Sequence, residues 1–171
     1  YVEGKNLVIE WRSAEGKSER LPDLAAELAR LKVDVIVTDS TPATSAAQKA
    51  TATIPIVMGN TGDPVRSGFV KGLARPGGNI TGLTSMVNEL RLKQVEMLLA
   101  MAPKVSRLAV LVNPGNTDSI VGLEIVQADG LKRGITILRA DARTPQEIDQ
   151  AFALMVQQKA GALLVLNEGL F

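Results

Sequence analysis

Two short apolar runs, residues 33–38 (VDVIVT) and 54–58 (IPIVM), constrain this chain more than any other feature. Both are rich in β-branched residues, and runs of that kind suit strands buried on both faces, as in a parallel sheet. Parallel neighbours cannot be joined by a tight turn; they need a crossover, usually a helix. The segment between the runs, 41–53, is rich in Ala and Ser and carries Pro42 at its expected first position, so it reads as that helix.

The same alternation predicts the rest of the chain. Residues 7–11 read as a strand. Ser18 can cap a helix whose Leu21, Leu24, Ala25, Leu28 and Leu31 form one apolar stripe. A helix is expected over 65–74, stopped by Pro76-Gly77-Gly78, and then a strand over 79–84. A longer helix over 88–102 turns Leu92, Val95, Leu98 and Leu99 inward. Residues 108–112 (LAVLV) are another buried strand, followed by a helix over 119–133, Gly134 as its cap, and a strand over 135–139. Thr144-Pro145-Gln146-Glu147 is a capping box, and the helix it opens buries Ile148, Ala151, Phe152, Met155 and Val156. Residues 162–166 form a final strand.

Strict βαβα order means an α/β fold of doubly wound parallel sheets with right-handed crossovers. The segments VDVIVTDSTPATS and LAVLVNPGNTDS share one layout: buried strand, turn residues, capped helix. They lie on either side of the 88–102 helix. Two Rossmann-like lobes are therefore expected, residues 1–86 and 87–171, with the boundary near 85–88.

The chain contains neither Cys nor His, which removes cysteine nucleophiles, Ser-His-Asp triads and His- or Cys-ligated zinc. Lys+Arg 19 against Asp+Glu 18 leaves a net charge of +1, so no basic footprint for nucleic acid is present. No apolar run approaches the ~20 residues of a membrane span. Neither G-x-G-x-x-G nor G-x-x-x-x-G-K-[ST] occurs, which gives nucleotide binding no support. No cofactor, no metal and no catalysis are expected; an enzymatic reading would have to rest on Asp39 or Asp63.

Polar residues collect at the carboxyl ends of the strands, where parallel α/β sheets bind ligands and helix N-termini point free N–H groups. They are Asp39, Ser40 and Thr41; Thr61 and Asp63; Thr84; Asn113, Asn116 and Thr117; and Asn167. Taken singly, Thr41 before Pro42 and Asp63 before Pro64 are what helix starts prefer, and Gly62 and Gly115 suit turns. As a set spread over both halves, they suit a small polar or zwitterionic ligand. Helix N-termini would take its carboxylate and an Asp its ammonium group. Trp11 is expected to pack beneath the neighbouring helix.

Several segments resemble one family. They are YVEGKN (1–6), AEGKSERLPDLAAEL (14–28), VDVIVTDSTPA (33–43), TIPIV (53–57), GDPV (62–65), LARPGGNITGL (73–83) and the terminal LVLNEGLF. In order and through nearly the whole chain, they are similar to ABC transporter substrate-binding proteins of the tryptophan/tyrosine type. ARPGGNITG is the most specific piece. The resemblance implies a type I periplasmic-binding-protein-like fold, with two lobes closing on a small-molecule ligand and delivering it to a membrane permease. It also implies export by a signal or lipoprotein leader, hence a periplasmic or otherwise extracytoplasmic location. The family's turns fall on Ser40-Thr41-Pro42-Ala43, Gly62-Asp63-Pro64, Asn79-Ile80-Thr81-Gly82-Leu83 and Asn113-Pro114-Gly115-Asn116. Asp39 and Asn60-Thr61 depart from its pattern and bear on ligand preference.

Against that pattern both lobes are incomplete: an opening strand and helix would precede Tyr1, and half of the second lobe would follow Phe171. Residues 7–11 and 33–38 would then flank an open slot. Self-association through the first lobe, or direct pairing of those two segments, is expected. The alternative to a transport component is the ligand-sensing core of a transcriptional repressor or a two-lobed sensor, which share the fold.

Overall fold

A computed structural model describes residues 1–85 and 87–166. Its strands form two separate three-stranded sheets, both parallel. In the first, β1 (Ile36–Thr38), β2 (Ile56–Thr61) and β3 (Ile80–Thr84) lie in the order β1-β2-β3. In the second, β4 (Arg107–Val112), β5 (Thr136–Asp141) and β6 (Ala162–Val165) lie in the order β5-β4-β6. Helices α1 (Leu21–Arg30) and α2 (Thr41–Ala50) belong to the first lobe. Helix α3 (Val87–Met101) follows β3, and α4 (Thr117–Arg133) and α5 (Pro145–Gln157) complete the second lobe. This is the two-lobed α/β architecture expected.

The β-branched runs do what their composition requires. Strand β4 is central and sends side chains to both faces. Leu108, Val110 and Val112 pack with Val95, Leu123, Val126 and Leu164; Ala109 and Leu111 pack with Ala140, Ala151 and Met155. In the first lobe Ile36, Ile56 and Ile80 lie side by side across the three strands and share a core with Ala47, Met58, Phe69 and Val70. Two ends follow expectation closely. Gly134 closes α4 in the left-handed conformation at φ 69°. Thr144 Oγ1 accepts from Glu147 N at 3.2 Å, while the Glu147 carboxylate reaches back to Arg143 N at 2.6 Å, one residue beyond a standard box.

Other expectations are corrected. Residues 7–11 form no strand; the described contact is one bridge between Glu3 and Leu7, and Trp11 is 78% exposed rather than packed under a helix. With no neighbour to complete a ladder, this segment is held instead by Arg12, which bonds Glu27 of α1 at 2.8 Å. Nor do residues 7–11 pair with β1. Ser18 caps nothing: it opens a short 3-10 turn, Ser18–Arg20, and Arg20 takes the cap position of α1 without a side-chain bond. Residues 65–74 are a turn to 68 followed by bends and irregular backbone, not helix. Asp63 Oδ1 accepts from both Val65 N and Arg66 N, and Gly68 adopts φ 74°, which breaks the helical path. On α3 the buried stripe is Arg91 and Val95 with Leu98 and Leu99 beside them, whereas Leu92 faces out. On α5 Phe152 and Val156 are exposed, at 48% and 78%, because the sheet beneath spans only three strands and covers one narrow side of the helix.

One irregularity positions the site. Between Met58 and Thr61 the β2–β3 register shifts, so that Thr61 sits opposite Thr84. Gly82 makes this possible: at φ 138° it lies where a Cβ would collide with the Met58 backbone. The shift carries the loop at 61–63 out over the end of the sheet.

Candidate functional site

The carboxyl ends of β1 and β2 and the N-termini of α2 and α4 converge on a cavity of about 470 Å³, within the ~300–1,000 Å³ usual for small-molecule sites. Its lining runs from apolar residues of α1, α2 and β1 (Leu28, Ala47, Ile36, Val37) to buried polar ones (Thr41, Asn116, Asp118), with residues 12–16 along one side. Val87, the first residue of α3, also lines it.

Asp118 is the centre of the polar end. It lies in the first turn of α4, where the helix dipole favours a negative charge, and it is buried at 5% exposure. Its own amide is fixed by the Asn116 side chain at 3.0 Å. Both carboxylate oxygens then turn to the first lobe. Oδ2 accepts from the Thr41 hydroxyl and from Gly62 N at 3.0 Å; Oδ1 accepts from Asp63 N at 3.3 Å. A Cβ at position 62 would run into this carboxylate, so Gly62 is what allows the approach. The Gly62 carbonyl is held from behind by the Thr84 hydroxyl. A second bridge between the lobes joins Arg66 to Glu124 at 3.0 Å, but both side chains are solvated. Such a pair contributes only about 0–1 kcal/mol.

Arg91 is the unexpected member. The guanidinium of this α3 residue is buried at 1% exposure, and neither Nε nor Nη2 has a hydrogen-bond partner among the described residues. It packs close to Gly122 of α4: a Cβ there would stand 2.9 Å from Arg91 Nε. Burial pushes the guanidinium below its ordinary value, and the nearby Asp118 carboxylate pulls the other way.

The sequence-predicted residues divide. Asp39, Ser40, Thr41, Thr61 and Asn116 line the cavity. Of these, Ser40 caps α2 by accepting from Ala43 N at 3.4 Å, the role that capping preferences assign equally well to Thr41. Thr61 Oγ1 is turned inward to Leu83 O at 3.3 Å. Asp63 contributes its backbone amide, its side chain being spent on its own turn. Thr84 braces Gly62 from outside the cavity lining. Asn113 is buried in its loop, accepting from Gly115 N at 2.8 Å, and Thr117 points to solvent on α4; neither lines the cavity. Asn167 lies outside the described residues.

Two residues escaped sequence reasoning, and both had a signal. Asp118 stands two positions after the Asn116 cap, where an acid is read as dipole stabilisation and passed over. Arg91 stands four residues before Val95, on the apolar stripe itself, where a charge is out of place.

Chemically, the arrangement offers hydroxyl and amide donors, one buried carboxylate and one buried cation, with an apolar wall beside them. That is equipment for holding a small polar molecule.

The family model for ABC transporter substrate binding protein matches residues 1–169. Over 156 residues the chain is 29% identical to a tyrosine-binding protein of Clostridioides difficile, covering 91% of this chain and 45% of that one. A conserved domain protein from Vibrio cholerae has a similar structure, with 32% identity and a TM-score of 0.84, covering 95% of this chain and 54% of the other. An ABC domain from Streptococcus pneumoniae, solved in complex with L-Trp, superposes with a TM-score of 0.85 at 25% identity, over 98% of this chain and 56% of the other. The chain thus spans about half the length of the relatives it matches. Two parallel sheets flanked by helices, a polar cleft at their carboxyl ends and a match through nearly the whole sequence agree, and the chain belongs to the family of ABC transporter substrate-binding proteins, which bind solutes and are not enzymes.

Proposed function

We propose that this chain supplies the binding cleft of an extracytoplasmic solute-binding component of an ABC importer. Its ligand is an amino acid or a similar zwitterion, held between lobes that divide at residues 86 and 87 and passed on to a membrane permease. The observation that carries this reading is the meeting of Thr41 and Gly62 from one lobe with Asn116 and Asp118 from the other around one cavity, with the Asp63 amide also bonded to Asp118. Hydroxyl and amide donors suit a carboxylate, and the exposed Asp39 in the lining suits an ammonium group. The apolar wall leaves room for a side chain. Relatives named for tyrosine or solved with L-Trp support the same ligand class. Delivery to a permease places the protein in the periplasm or on the outer face of a membrane, the latter through a lipoprotein anchor. Among the described residues no helix is long and apolar enough to cross a membrane.

Calorimetry on the full-length protein tests the proposal. L-tyrosine or L-tryptophan should bind, and Thr41→Ala should weaken that binding by about 1.5–3 kcal/mol, the cost of a hydrogen bond to a charged group. Heat from neither amino acid, or an unchanged affinity in the variant, would remove the assignment.

A further inference from the structure

Three donors of the first lobe converge on one carboxylate: the Thr41 hydroxyl and the amides of Gly62 and Asp63. Charge-assisted bonds of this kind are what a free α-carboxylate needs. The carboxylate they hold is Asp118, which is tethered to the opposite lobe. The group that fills the site therefore also ties the lobes together.

A second observation lies one turn along the same helix. Asp118 and Gly122 are four residues apart on one face of α4, and the Arg91 guanidinium rests on Gly122. That guanidinium is 1% exposed, and its Nε and Nη2 lack partners among the described residues. A buried charge that only the attraction of Asp118 offsets in part is costly and gains from a bonded acceptor. Glycine at 122 has no side chain to stand between the two groups.

We propose that Asp118 is a built-in competitor for the three donors that the cleft reading gives to the ligand's carboxylate, and that Asp118, once displaced, pairs with Arg91. This rests on the amino-acid reading of the cleft. The exchange keeps every charge matched. The ligand carboxylate takes over the three donors, and Asp118 rotates about its own side chain towards the guanidinium. Arg91 is then a positioning residue: it touches no ligand, and it favours binding by receiving the displaced carboxylate. A ligand without a carboxylate cannot make the exchange, so the latch also selects.

The test uses the full-length protein with L-tyrosine, L-tryptophan and tyramine, which lacks the carboxylate. Wild type should prefer L-tyrosine to tyramine, and Thr41→Val should lower L-tyrosine affinity roughly ten- to hundredfold while largely erasing the preference. Arg91→Met should lower L-tyrosine affinity about tenfold in wild type and hardly at all in an Asp118→Asn background, because the pair it serves is already gone. A merely structural role for Arg91 would lower affinity equally in both backgrounds, and that result overturns the exchange. A Thr41→Val protein that keeps its preference for L-tyrosine overturns the subsite. If wild type binds neither amino acid, the amino-acid reading of the cleft itself falls, and this inference with it.

Discussion

At the scale of single residues, Arg91 is the point at which this molecule departs from what stability alone would select. A guanidinium placed among Gly122, Leu166 and the stripe of α3 gives up its water and, at Nε and Nη2, receives no bond among the described residues in return. Its attraction to Asp118 offsets part of that cost, but Asp118 already spends both oxygens on the first lobe. A buried polar group left without a hydrogen bond carries an uncompensated desolvation cost, and an apolar side chain of similar length removes that cost. Arg91→Met should therefore raise the unfolding free energy of the ligand-free protein by about 1–3 kcal/mol, measured by urea denaturation. A loss of stability would mean that the guanidinium is well satisfied where it lies. The same residue shows why part of the site was hidden from sequence reasoning. Thr41, Ser40 and Asn116 announce themselves as oxygens beside helix starts, and all three line the cavity. What sequence could not decide was that Ser40 takes the cap and so frees the Thr41 hydroxyl for Asp118. That outcome depends on a partner 77 positions away.

At the scale of elements, local pattern was informative wherever an element buries a face of its own lobe. The runs at β1, β2 and β4, the stop at Gly134 and the cap at Thr144 were all legible, because each rests on contacts within a few residues or on a periodicity. The failures share the opposite property. Residues 7–11 have strand composition but no neighbouring strand, and residues 65–74 have helical spacing that ends after the one turn Asp63 caps, at Gly68 with φ 74°. Where elements meet, close approach decides. On α4, Gly130 lies against β5, and a Cβ there would stand 2.6 Å from Ile137 Cγ1 and 3.1 Å from the Ile135 carbonyl. Alanine gains about 1 kcal/mol over glycine in a helix interior. Overpacking of this kind costs about 1–3 kcal/mol, and here one of the crowded atoms is backbone and cannot swing aside. The clash should win, so Gly130→Ala is expected to lower stability by about 1 kcal/mol or more in chemical denaturation; a stabilised variant would show that α4 can shift off β5 freely.

At the scale of the whole molecule, the two-lobed layout could be read from the repeated strand-turn-helix segments, whereas the way the lobes touch could not, since the contacts of Asp118 and the Arg66–Glu124 pair leave no periodic trace. The remaining question at this scale is the outer edge of the first sheet. Among the described residues, strand β1 pairs with β2 alone. Ile36 N donates to Pro55 O at 2.9 Å on that side. In a parallel ladder the alternate residue turns its N–H and C=O the other way, so Val37 presents both to the open edge. Val37 is 70% exposed and its neighbour Val35 47%. Exposed charges stand only at the strand's ends, on Asp34 and Asp39, and an apolar edge with unpaired backbone groups recruits another strand. We therefore propose that this 171-residue chain, studied by itself, self-associates through β1 of the first lobe. Sedimentation should show mass rising with concentration, and Val37→Lys, which places on the edge the charge that natural edge strands use for protection, should shift it towards monomer. Hydrogen exchange supplies the local reading: the Val37 amide should exchange fast in a dilute monomer and slow as the chains associate. Slow exchange at Val37 in the dilute monomer, or a mass that Val37→Lys leaves unchanged, would show that the edge is already covered within one chain.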